Sequence, residues 1–158
     1  GKFQRIHNLI KPDFLLLLKI AEEQKDDQQR FDALYRACLT RFFTLIEADI
    51  YGLNQLDMYA GYDEKRDRFI EKFKETYKQI CATWNKQELQ RKYFDTKLQL
   101  IKELKVKRYD LVHPKQIENI HKATEEEFKK VKTAFQDYDN FIGDLMNDFF
   151  VSTEIKLF

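Results

Sequence analysis

The stretch TEEEFKKVKTAFQDYDNFIGDLMNDFF, residues 124–150, decides the fold. In it Phe128, Val131, Phe135, Tyr138, Ile142, Leu145 and Phe149 are spaced alternately by three and four. On an α-helix that spacing forms one continuous stripe, whereas a strand would require strict alternation. Thr124 and Glu127 stand where a capping box starts a helix, the hydroxyl accepting an orphan amide and the acid reaching back. A helix with one oily face must bury it on other elements, and the rest of the chain supplies them as helices.

The longest partner is predicted over Gln28–Tyr59, ending near Gly61, with Phe31, Leu34, Tyr35, Cys38, Phe42, Leu45, Leu53 and Leu56 on its stripe. Asp49 interrupts that stripe where Leu or Ile is expected. A second apolar strip beside it, Leu39, Phe43, Ile46 and Ile50, is expected to meet a further partner, here a second subunit. A first helix is predicted from Pro12–Asp13 to about Gln24, Asp13 capping it, which leaves residues 1–11 as an N-terminal arm containing His7. A third runs from about Asp63 to Trp84. The fourth starts near Gln87 and carries Phe94, Leu98, Ile101, Leu104, Leu111 and Val112. The reading is an all-α, single-domain bundle of about five helices over residues 1–158, without strands.

Composition agrees. Hydrophobic residues make up 43% and charged residues 35%, with four Gly and two Pro, too few turn formers for a β-rich fold. The longest apolar run, Phe14–Leu18, is far short of a membrane span, so neither a membrane helix nor a signal peptide is expected. Cys38 and Cys81 fall on apolar helix faces and predict buried thiols in a reducing compartment, the cytoplasm. No Gly-rich phosphate loop and no His, Cys or acidic cluster at metal-ligand spacing is present, so no metal is expected.

The net charge of +1 excludes a uniformly basic nucleic-acid binder. Charge is nevertheless local: between Lys97 and Lys115 stand six basic residues against two acids. Within that stretch, KELKVKRYDLVHP at 102–114, Arg108 continues the buried line Ile101–Leu104–Arg108–Leu111. A guanidinium on a buried face must be paired. Asp49 is the expected partner, since it intrudes on its own stripe in the same way. His113 lies about 140° round the helix from Arg108. Pro114 turns its backbone out of helical geometry, so it either swings back or meets the region from a neighbouring subunit. Histidine titrates near neutrality and serves as acid or base. One reading is a structural ion pair beside a helix end; the other is a catalytic pair.

Arg108-Tyr-Asp-Leu-Val-His113, an Arg-x4-His ending the penultimate helix of a small helical bundle, resembles the signature of the HEPN (higher eukaryotes and prokaryotes nucleotide-binding) family. The order of a long second helix, a motif helix and a closing helix extends the resemblance over most of the chain. It implies a cytoplasmic, cofactor-free, metal-independent endoribonuclease that works as a homodimer in defence or stress. It also implies Arg108 on the scissile phosphate, His113 as acid–base, and a 2′,3′-cyclic phosphate product. Family members often carry an acid on the long helix near the motif, here Asp49 or Glu47; the stripe favours Asp49. The motif arginine is usually followed by a polar residue, and here by Tyr109, with Asp110 one place later. Lys115 stands where some family toxins carry a modifiable tyrosine, so that toxin–antitoxin pairing is not indicated, although a protein partner or antitoxin of another kind fits. Lys102, Lys105, Lys107, Lys115 and Arg41 are the candidate RNA contacts. The alternative is a non-catalytic bundle of the same shape that binds a nucleotide, an RNA or a protein.

Overall fold

The computed structural model describes residues 1–57, 61–64, 68–117 and 122–157, for residues 57 and 148–157 the backbone alone. The described residues form six helices: α1 Lys2–Glu23, α2 Gln28–Asp57, α3 Phe69–Thr83, α4 Gln87–Thr96, α5 Leu98–Val112 and α6 Glu125–Leu157. Among them there is no strand. None of these helices is long and apolar enough to cross a membrane.

The last helix forms as its spacing requires. Thr124 Oγ1 accepts the Glu127 amide at 3.1 Å, and Phe128, Val131, Phe135, Tyr138, Ile142 and Leu145 are buried. The Glu127 carboxylate faces Lys107 and Lys130. The Phe149 side chain lies outside the described residues, as does the predicted end of α2 at Tyr59. α2 touches α1, α3, α5 and α6 and forms the spine of the core. That core is largely aromatic: the Phe14 and Phe135 rings lie 4.7 Å apart, and Tyr93 stacks on Phe141 at 4.4 Å. Such pairs add to the apolar area that they bury.

Four expectations need correction. Residues 1–11 are not an arm: α1 runs unbroken from Lys2, with Pro12 inside it. A mid-helix proline costs about 3 kcal/mol. Pro12 faces solvent, however, while Phe3, Phe14 and Ala21 on the opposite side are buried, and that burial offsets the loss. At its start α1 approaches α2 closely because position 52 is glycine; a Cβ there would meet the Phe3 ring at 3.0 Å. The expected fourth helix is two, broken at Lys97 (φ −121°, ψ −24°). Thr96 Oγ1 bonds back to the Lys92 carbonyl at 2.7 Å, a side-chain bond that competes with the helical ladder. The break lets Tyr93 face α6 while Leu98, Ile101 and Leu104 enter the core. α3 begins at Phe69 rather than Asp63, the Glu71 side chain accepting the Arg68 amide at 3.2 Å.

The fourth correction concerns Leu39, Phe43, Ile46 and Ile50. All four are buried within the single chain, with the Phe43 ring 5.2 Å from that of Phe69 on α3. The strip is occupied by the chain's own helices and is not a subunit contact. Phe43→Glu should therefore unfold the protein, since a carboxylate buried there costs several kcal/mol. Circular dichroism checks this: a folded Phe43→Glu protein with wild-type helicity contradicts the packing.

Cys38 and Cys81 are buried as expected, and burial pushes their thiols up to about 12 and about 11 respectively. The reactive thiolate is thereby suppressed. In mildly alkaline buffer neither should react with Ellman's reagent until denaturant is added, when both should. Rapid native labelling of either would show that its helix opens.

Candidate functional site

Arg108 sits in the last turn of α5 with its side chain 23% exposed. Its Nη1 lies 3.5 Å from Glu47 Oε1 on α2, and its Nε is buried without a hydrogen-bond partner. The acid beside the motif arginine is thus Glu47, and the expected Arg108–Asp49 pair does not form. Two residues along a helix amount to about 200° of rotation. Glu47 therefore faces α5, while Asp49 faces α1 and α6. A single contact at 3.5 Å leaves most of the five guanidinium donors uncommitted.

His113 caps α5, its amide bonded to the Tyr109 carbonyl at 2.9 Å. Its backbone (φ −125°, ψ 59°) has left the helical region, as a residue before proline does. The imidazole is exposed and lies against the Tyr109 ring, centroids 4.9 Å apart. Within one chain His113 does not swing back to Arg108; it stays on the Tyr109 side of the helix. Asp110 is half-buried between the two positions.

The lysines of α5 divide. Lys105 lies over the Phe69 ring at 5.1 Å and the Phe43 ring at 5.9 Å. Burial lowers its pKa, and the charge of Arg108 adds to the effect. Lys107 is paired with Glu127 on α6; burial again lowers its pKa, helped by Lys130. Lys102 is half-buried and Lys115 exposed. Arg41 does not reach this region: it is tied to Asp13 of α1 at 2.7 Å. Glu47 and Lys105 also line a cleft of about 250 Å³ with Ile50, Tyr62, Glu64, Phe69 and Lys72; Arg108 is not part of its lining.

A second polar constellation was hidden in the sequence by the misplaced arm. Asp49 is fully buried. Its Oδ1 lies 2.8 Å from His7 Nδ1, and its Oδ2 accepts the Tyr138 hydroxyl at 2.8 Å. The Tyr138 hydroxyl is in turn 2.6 Å from that of Tyr77. Burial drives the Asp49 carboxyl above the ordinary range, outweighing the opposing pull of His7 and Tyr138. The signal was present: Phe3, His7, Ile10 and Phe14 already follow the helical period through the supposed arm.

Comparison with protein-family models, with curated protein sequences and with solved structures returns no match.

Proposed function

We propose that this chain is an endoribonuclease of the HEPN type, active as a homodimer without a metal ion. The observation that carries the reading is the state of Arg108: three-quarters covered, with one loose partner and an unspent Nε, at the end of a helix whose last residues present an exposed histidine. A fixed cation with spare donors suits a phosphate. RNA brings its own nucleophile, so an acid–base group and a fixed cation suffice.

In this reading two copies meet along α5, where Val106, Tyr109 and Val112 are exposed beside His113. That contact sets the histidine of one copy near the arginine of the other. One imidazole takes the proton of the ribose 2′-hydroxyl as its oxygen bonds to phosphorus, and the bond to the 5′-oxygen breaks. The second imidazole returns a proton to that oxygen. Arg108 holds the charge that grows on the phosphoryl oxygens. The products are a 2′,3′-cyclic phosphate and a 5′-hydroxyl.

A second reading, a non-catalytic module of the same kind that binds RNA, a nucleotide or a protein, is favoured by the commitment of Lys105 and Lys107 within the chain. Incubation of an RNA pool, and of DNA of the same sequence, with the protein in EDTA separates the two. Cleavage of RNA alone, rising steeply with protein concentration as a dimer requires, supports the nuclease. Retention of RNA without cleavage supports the module.

A further inference from the structure

Asp49 and His7 are not used by the α5 site, and they lead to a different opening. His7 has its side chain 12% exposed and lines a cleft of about 240 Å³ between α1 and α6. Both Asp49 oxygens are spent inside the protein, one on His7 Nδ1 and one on the Tyr138 hydroxyl. In its ionised form Asp49 can only accept, so Nδ1 then carries the hydrogen and Nε2 is left as the atom available to the cleft. The ring is therefore held in one tautomer and one orientation by a buried acid, itself backed by Tyr138 and Tyr77.

Along the same stripe of α1 stand Gln4, His7, Asn8 and Lys11, at the spacing that puts all four on one face. All of them line the cleft. Lys11 Nζ is ion-paired with Asp139 at 2.8 Å, which also engages the acid on the facing helix. The opening thus offers an imidazole, two amides and an ammonium group, while its two nearby acids are engaged within the protein. Phe3, Ile142 and Met146 give it an apolar wall.

We propose that this cleft binds a small organic oxyanion, its charged end on His7 and Lys11 and its apolar body on the Phe3–Ile142–Met146 wall, and that binding takes up a proton on His7. Protonated, Nε2 changes from acceptor to donor, and the Asp49 carboxylate balances the new charge. The titratable and charged groups facing His7 are Asp49 from α2, Tyr138 and Asp139 from α6, Lys11 from its own helix and, through Tyr138, Tyr77 from α3. Affinity should therefore weaken once the solution is alkaline enough to leave His7 neutral in the complex. The site is separate from α5 and does not depend on RNA cleavage.

The test is nitrogen-15 NMR of the histidine rings of the full chain, with the His7 signals assigned from His7→Gln. Benzoate, phenyl phosphate and inorganic phosphate are titrated separately. The expected result is a saturable movement of the His7 Nε2 signal towards imidazolium with one or both organic anions, Nδ1 remaining protonated. Benzoate and phenyl phosphate together tell a carboxylate ligand from a phosphate ester. Lys11→Met, a half-exposed position, should weaken that binding by about tenfold or more, the loss of one charged hydrogen bond. Ring signals unmoved by all three anions would overturn the proposal. So would equal affinity in Lys11→Met, or equal binding of bare phosphate, which would remove the apolar wall from the site.

Discussion

On the proposed nuclease reading, His113→Ala is expected to cleave RNA about 10²–10⁴-fold more slowly than the wild type, the usual share of a positioned acid–base group. It should do so while unfolding at the wild-type temperature. The imidazole is exposed and lies against the Tyr109 ring, so its removal opens no buried cavity. Arg108→Ala should lose a comparable factor, and Arg108→Lys should recover only part of it, because an ammonium cannot present a planar fork to a phosphate. Neither change should unfold the chain: Glu47 is 44% exposed and can turn to water when its partner goes. Single-turnover cleavage beside thermal melts reads both quantities. Arg108→Ala that melts far below the wild type would mark Arg108 as a structural residue.

Asp49→Ala should be the most destabilising single change in the polar interior, at about 3–5 kcal/mol. It removes the common acceptor of two groups: His7 loses the partner of Nδ1, and the buried Tyr138 hydroxyl loses the carboxylate it donates to. For a chain of this length each kcal/mol lowers the melting temperature by about 2–4 °C. Asp49→Asn keeps an acceptor for Tyr138 and should cost much less. Its pH dependence is diagnostic. The Asp49 carboxyl is raised by burial, so the folded state holds its proton more tightly than the unfolded chain does. The acid form thus adds stability fully present below the ordinary carboxylate range and lost as pH rises through the raised value. Wild type should accordingly gain on Asp49→Asn as the solution is acidified and fall back towards neutrality. Melts of both proteins across the acid range check the sign; a gap that instead widens towards neutral pH would mean that His7 outweighs burial.

The two long helices were legible because each carries a long, regular apolar stripe, and Asp49 was legible as an intruder on one of them. Its partner was not. Glu47 and Asp49 differ by about 200° on α2. Which one meets Arg108 depends on where α1 and α6 lie against that helix, and a stripe read on one helix alone cannot supply that. The first eleven residues were misplaced because Pro12 was weighed as a helix start. An exposed proline on a helix whose other face is buried can be carried, and the spacing of Phe3, His7, Ile10 and Phe14 was the stronger signal. The break at Lys97 escaped because the apolar period continues almost in phase through it; a local Thr96 side-chain bond accompanies it. The strip Leu39–Ile50 was correctly read as apolar, but its partner is α3 of the same chain rather than a second subunit.

The chemistry of the RNA ends tests the central claim most directly. The measurement is end-group analysis of RNA incubated with the wild-type protein in EDTA, at a concentration where sedimentation shows a dimer. Attack by the 2′-hydroxyl predicts 2′,3′-cyclic phosphate and 5′-hydroxyl ends. Intact RNA under those conditions, or 3′-hydroxyl and 5′-phosphate ends, would contradict it.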